Sequence, residues 1–393
     1  MMQISSETLL YIKEHAREDV RMLALQAKKY PKVDVPFAVT QIAGRQIAEV
    51  KLPSWAAVSD LLYPRHLSME QCSSEHTALY KAGLVGGDTF VDLTGGFGVD
   101  CSFLSRRFRE SHYVERQAEL CELARHNFPL LGTDIHVHHQ DGVDYLREMQ
   151  SVDCIYLDPA RRDGHGGKTV AISDCEPDVG QLESLLVEKG QTVLVKLSPM
   201  LDLSLALKTL KTIREVHIVS VQNECKELLL VLQKEGSSLD IPIHCVQLLS
   251  SGESRHDVFT QEQERQADCS LAAEVGAWLY EPHPSILKAG AYRSLTQAYS
   301  VKKLHASSHL YTSEYFIPDF PGRCFKVKAV CGFGKKELKT LLGGLEKANL
   351  TVRNFPATVA ELRKRLKLKE GGDDYLFATT LASGEKVLVH CLK

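Results

Sequence analysis

The stretch Thr89-Phe90-Val91-Asp92-Leu93-Thr94-Gly95-Gly96-Phe97-Gly98-Val99-Asp100 constrains the chain more than any other. A short apolar run ends in an acid and breaks at once into glycines, and a helix-forming segment, Cys101 to Phe108, follows. Glycine permits backbone angles and close approaches that a Cβ forbids. Strand, glycine turn and helix in that order form a cradle for a nucleotide-like ligand. The dinucleotide fingerprint is broken, because in Gly96-Phe97-Gly98-Val99-Asp100-Cys101 a cysteine stands where the third small residue belongs.

Downstream, strand-like runs alternate with helical ones. Strands are expected at Thr89–Leu93, Ser111–Glu115, Ile135–His138, Cys154–Leu157, Thr192–Leu197, Glu215–Val221 and Glu227–Leu232, with helices such as Gln117–Asn127 and Val179–Lys189 between them. That alternation implies a parallel sheet covered on both faces. Gln222 to Lys226 is too short for a parallel crossover, so the last strand runs antiparallel. Acids recur at strand ends: Asp92, then Glu115 in Tyr113-Val114-Glu115, Asp141 in Gln140-Asp141-Gly142, and Asp158 in Asp158-Pro159-Ala160-Arg161. Asp92 can accept from an amine-bearing ligand tail, Glu115 from ribose hydroxyls, and Asp141 from an adenine amine. The plainer alternative is that these acids cap strand ends.

The series resembles the class I, Rossmann-like S-adenosylmethionine (SAM) methyltransferases over about residues 70–235. Thr94 replaces the usual first glycine of the loop, a variant similar to that of several RNA methyltransferases. The resemblance implies an α/β fold with a seven-stranded sheet whose last strand is antiparallel, and SAM as cofactor. Asp92 with Thr94, Gly95, Gly96 and Gly98 would hold its methionine part, Glu115 its ribose and Asp141 its adenine, while Ser73–Ala78 would close the pocket. Asp158 and the Pro159 carbonyl suit the N–H groups of a base amine, whose lone pair must be drawn out of conjugation before it attacks. Amino methyltransferases typically read (N/D)PP(Y/F); here Ala160 and Arg161 fill the last places, and Arg161 can stack on a base or bind phosphate. Asp158, Pro159 and Arg161 are therefore the expected catalytic set. Carbon methylation through a covalent adduct needs a cysteine after the fifth strand, where Lys196-Leu197-Ser198-Pro199 offers no thiol. Arg161–Thr169 reads as a substrate lid beside the site; its Gly167-Lys168-Thr169 lacks the first glycine of a phosphate loop.

Charge points to the partner. Pro321–Lys393 holds 15 Lys+Arg against 7 Asp+Glu, so a chain of net charge −3 carries −11 elsewhere. A basic tail on an acidic body suits a polyanion. Within it, Thr358–Lys367 places Val359, Leu362 and Leu366 on one stripe and Arg363, Lys364, Arg365 and Lys367 on other faces. The layout resembles a THUMP-like module, a small α/β domain found beside RNA methyltransferases. The 393 residues thus divide into an N-terminal helical region at 1–80, a methyltransferase domain at 81–240, a linker with a small α+β, ferredoxin-like unit at 241–320, and a basic THUMP-like domain at 321–393. Ser250–Asp268 is the polar stretch expected as loop or linker. His136, His138 and His139 lack a cysteine or carboxylate at ligand spacing, and His305 and His309 sit four apart on an expected helix without the glutamate of a zinc motif; no metal is expected. Eleven cysteines without a CxxC pair, no signal pattern and no long apolar run suit reduced thiols, the cytoplasm and no membrane partner. The expected activity is SAM-dependent methylation of a base amine in tRNA or rRNA. The alternatives are a protein or small-molecule methyltransferase, and an RNA-binding protein that has lost turnover.

Overall fold

Nine strands hydrogen-bond into one sheet in a computed structural model that describes residues 4–161, 171–235, 240–249 and 251–393. They are β1 Thr89–Asp92, β2 Glu110–Glu115, β3 His136–His139, β4 Val152–Leu157, β5 Gly190–Leu197, β6 Ile213–Val221, β7 Glu224–Leu232, β8 Ile243–Leu248 and β9 Ser254–Phe259. Their order is β3-β2-β1-β4-β5-β7-β6-β8-β9. β1 to β5 pair in parallel, and β7 runs antiparallel to β5. Through β6 this is the seven-stranded Rossmann-like order with one reversed strand. The β6–β7 hairpin turns on Gln222 and Asn223, both at positive φ (48° and 62°), the twist that a two-residue connection demands.

β8 and β9 extend the sheet, and they overturn the expected linker at Ser250–Asp268. β9 lies at the edge, paired antiparallel to β8 alone, and most of its side chains face solvent. Such a strand shows no apolar alternation, so it reads as a loop. The helix Gln261–Gln266 follows, started by a capping box between Thr260 and Gln263.

The chain divides into two compact units, Met1–Glu215 with Leu228–Ser238, and Val216–Glu227 with Leu239–Lys393. The first begins with two short helices capped by Ser5 and Asp19 and a longer one, Val35–Lys51, capped by Asp34, packed on Tyr11, Leu23, Ala38 and Ile42. The second holds a seven-stranded sheet of β10 Trp278–Pro282, β11 Lys302–Lys303, β12 Tyr311–Ser313, β13 Gly322–Cys331, β14 Asn349–Val352, β15 Asp374–Thr380 and β16 Lys386–Leu392. Its order is β11-β12-β10-β13-β16-β15-β14, antiparallel except for β14 against β15. Phe325, Phe377 and Val389 fill one core cluster, and Leu362, Leu376 and Leu388 another. Between β10 and its neighbours, buried Glu281 takes Arg323 Nε at 3.0 Å and Arg353 Nη2 at 2.9 Å, one arginine per carboxylate oxygen. The helix Lys335–Leu341 is followed by a turn and by the isolated bridge of Lys347 with Lys369 before β14 begins. His305 and His309 lie in a turn rather than on a helix, with His309 at φ 52°.

Candidate active site

Asp92 ends β1 between two tyrosines, its register partners Tyr113 of β2 and Tyr156 of β4. The carboxylate is 1% exposed and accepts the Thr94 N–H at 2.9 Å. Burial pushes its pKa well above the usual carboxylate range; the Thr94 bond opposes this, while Asp100, Asp158 and Glu115 reinforce it.

The glycine loop is locked from within. A Cβ on Gly95 would lie 2.2 Å from the Tyr113 ring, and one on Gly98 2.9 Å from Phe128. Packing thus demands glycine at both, and Gly98 at φ 84° is demanded by its backbone as well. Gly96, at φ 55°, is demanded by its backbone, and its nearest neighbour to a built Cβ is Thr94 O at 3.7 Å, so this corner of the loop is open. Tyr113 Oη donates to Gly96 O, Glu115 accepts the Gly96 N–H at 2.9 Å and the Gln117 N–H at 2.8 Å, and Phe97 packs edge-on against Trp55. Asp141 caps the helix Gly142–Glu148, and Gly142 passes so near the Leu93 carbonyl that a Cβ would come within 2.1 Å of it.

Thr94 explains itself. Its hydroxyl accepts the Asp158 N–H at 2.6 Å, tying the glycine loop to the end of β4, which a glycine could not do. The Asp158 carboxylate pairs with Lys196 of β5. Burial raises its pKa and Lys196 opposes the rise, although 37% of the Asp158 side chain stays accessible. Beside them lies a group that the motif did not disclose. Lys81, fully buried, stands 3.1 Å from Asp100 Oδ1 and donates to Ser73 Oγ at 2.9 Å. Ser73 and Tyr156 each donate to Asp100 Oδ2 at 2.7 Å. Burial alone would raise the Asp100 pKa, but Lys81, Lys196 and the two hydroxyls outweigh it and hold the group below the usual range.

Asp92, Thr94, Gly96, Glu115 and Asp158 are therefore linked directly or through one another, and Asp141 joins through the packing of Gly142 on Leu93. The Arg161 side chain and residues 162–170, the expected lid, lie outside the described residues. Sequence reasoning missed Lys81, Lys196, Asp100 and Tyr156 as site residues. Lys196 had a signal, a lone cation in the apolar run of β5. Five carboxylates, Asp92, Asp100, Glu115, Asp141 and Asp158, against the ammonium groups of Lys81 and Lys196 give this end of the sheet an acidic balance, suited to a ligand with cationic centres.

Of the β3 histidines, His139 is the register partner of Glu115, while His136 and His138 pack against His112 of β2. His138 Nε2 lies 3.0 Å from His112 Nδ1, and His112 stacks on His136 at 5.2 Å.

Residues 322–393 match the THUMP domain-like family and residues 278–321 a ferredoxin-like domain family. No curated protein matches the chain. A solved structure from Porphyromonas gingivalis W83, which carries a provisional methyltransferase name, is 36% identical, covers 100% of both chains and superposes with a TM-score of 0.87. The tRNA (uracil-54, C5)-methyltransferase of Pyrococcus abyssi is 15% identical over 45% of this chain and 40% of its own, with a TM-score of 0.28. TrmK of M. capricolum is 11% identical over 41% of this chain and 69% of its own, with a TM-score of 0.32. With that full-length relative and a Rossmann-like strand order, the chain belongs to the methyltransferase family of the Porphyromonas gingivalis protein and carries a THUMP-like domain at residues 322–393.

Proposed function

We propose that this chain transfers a methyl group from SAM to an amine of a base in structured RNA, tRNA or rRNA. The observation that carries the reading is the linkage of Asp158 to the cofactor loop through Thr94, which couples an acceptor-binding turn to a cofactor-binding one. The residues fit SAM. Asp92 is a buried carboxylate whose pKa is raised by burial and by the acids Asp100, Asp158 and Glu115, and an amine-bearing ligand tail would supply a compensating cation. Gly96 opens the loop on the side where the methionine part would lie, Glu115 retains lone pairs for ribose, and Asp141 stands by for adenine. When bound, SAM supplies an electrophilic methyl group on a sulfonium.

The protein's own task is then alignment and desolvation of the acceptor. Asp158 and the Pro159 carbonyl accept the amine's N–H groups, drawing its lone pair out of the ring; Lys196 orients the carboxylate. Arg161 would stack on the base or hold a phosphate. Cys72, the thiol that senses Asp100 and Lys196, has its pKa raised by burial and donates to Met69 O, so it stays neutral. That disfavours covalent carbon methylation. All eleven cysteines are free, consistent with a cytoplasmic enzyme. The basic THUMP-like domain would grip the RNA backbone.

The test incubates purified protein with methyl-labelled SAM and total RNA from cells lacking it, then digests to nucleosides. A labelled N-methylated guanosine or adenosine is the expected product. SAM binding without labelled RNA would move the reading to a protein or metabolite acceptor.

A further inference from the structure

The strands that extend the methyltransferase sheet carry a feature that the methylation chemistry does not use. β6 and β8 pair in parallel with His217 opposite His244, and β9 pairs antiparallel to β8 with His256 opposite Val246. Residues two apart share a strand face, so His256 is the diagonal neighbour of His244. The rings converge. His217 and His244 stack at 4.4 Å with planes 10° apart, and His244 Nδ1 lies 2.9 Å from His256 Nε2. One nitrogen of each imidazole falls within 4.8 Å of the others, and the three grade from buried His217 through half-buried His244 to exposed His256.

We propose that His217, His244 and His256 form a binding site for a zinc-class divalent cation. Neutral imidazole is a preferred ligand of zinc, nickel and copper, and three of them leave one position of a tetrahedral ion for water. Calcium and magnesium are excluded by the donor set, which offers nitrogen only. The separations need little change. Ligands about 2.0–2.1 Å from a tetrahedral ion stand roughly 3.3–3.4 Å apart, so His244 and His256 must part by a few tenths of an ångström and His217 must turn inward. The proton shared between Nδ1 of His244 and Nε2 of His256 moves to the far nitrogen of whichever ring carries it, and all three rings remain neutral. The gradient of burial fits metal entry from the exposed edge strand, with His217 fixed at the floor. An ion there would clip the two added strands, β8 and β9, to β6. Binding would then stabilise this unit in proportion to the logarithm of free metal.

The full-length protein, stripped with chelator and kept reduced, is titrated with cobalt(II) and followed by visible absorption, then with zinc(II) by thermal unfolding. The expected result is one cobalt per chain with ligand-field bands of nitrogen coordination and a rise in Tm with zinc. His256→Gln, a change at an exposed position that leaves the core intact, should weaken binding by about a hundredfold and cancel the Tm rise. His244→Gln should do the same. His138→Gln, on the separate histidine pair with His112, should bind like wild type. A thiolate-to-cobalt charge-transfer band would place the metal on cysteines and overturn the assignment. Unchanged affinity in His256→Gln, or loss in His138→Gln instead, would overturn it equally. None of these readouts depends on methyl transfer, so failure here leaves the proposed activity standing.

Discussion

The Asp92 end of the first sheet and the THUMP-like end of the second handle charge in opposite ways. At the first, Asp92, Asp100, Glu115, Lys81 and Lys196 are all at most 9% exposed. At the second, buried charge is spent on Glu281 with Arg323 and Arg353, a cross-strand clamp, while Lys335, Lys336, Lys339, Lys364, Arg365 and Lys367 are exposed. Burying an ion costs several kcal/mol unless it is paired, so a group of them that packing alone does not require marks chemistry. Solvated cations cost little and act at a distance, which suits a polyanion held by its backbone. On the proposed function, the first region would take a small ligand and the second a large one.

The largest expected effect comes from unpairing the buried group. Lys81→Met leaves Asp100 buried without its ammonium and should cost about 3–5 kcal/mol in denaturant unfolding. The native Asp100 pKa lies below its unfolded value, so its contribution is full above the ordinary carboxylate pKa and fades as pH falls through the native one. In Lys81→Met that acid-side dependence should vanish. A loss under about 0.5 kcal/mol would mean that the pair is solvated, and the comparison would lose its first half.

Asp158→Ala separates chemistry from cofactor. It removes the group proposed to accept the substrate's N–H and should lower turnover by about a hundredfold to a thousandfold. SAM affinity, measured by calorimetry, should stay near wild type, because the main chain that bonds Thr94 is kept. Retained turnover would remove Asp158 from the mechanism.

Asp92→Asn sets function against stability. The folded-state pKa of Asp92 is raised, so ionising it subtracts stability as pH climbs from the ordinary carboxylate range toward the native value. The amide keeps the Thr94 hydrogen bond and removes that loss, stabilising the ligand-free protein by on the order of 1 kcal/mol near neutral pH. It should abolish SAM binding, since the ligand's amine then meets no charge. A variant that binds SAM with unchanged affinity would refute the cofactor placement.

How much of this could be read from sequence depended on whether the determinants were local. The Asp92–Asp100 motif was legible because an acid and glycines at fixed offsets encode one strand and one turn, and the first seven strands were legible from their apolar runs. What escaped was set at long range. Lys81 meets Asp100 only after the helices Glu75–Ala82 and Val99–Leu104 pack, and β9 is a strand because β8 offers it an edge. The loop glycines illustrate a middle case: their positions were evident, but at 95 and 98 the demand comes from Tyr113 and Phe128 rather than from a ligand.

The smallest effect on stability should accompany a clear effect on RNA. Lys364, Arg365 and Lys367 are exposed around the C-terminal end of the helix Val359–Leu366, whose Leu362 is buried in the core. Replacing all three with alanine leaves that anchor in place and removes no cation that holds Glu281, losing only the exposed Arg365 contacts with the ring and carbonyl of Phe333. Unfolding free energy should therefore move by no more than about 1 kcal/mol. If the cations contact phosphates, each releases a fraction of a counterion, and the slope of log affinity against log salt should become shallower by roughly 2 to 3. KM for RNA should rise while kcat holds, because uniform binding has been lost without touching the reacting groups. An unchanged salt slope, with RNA methylation intact, would show that the exposed charge of this domain serves solubility, and the contrast between the two regions would reduce to one of burial alone.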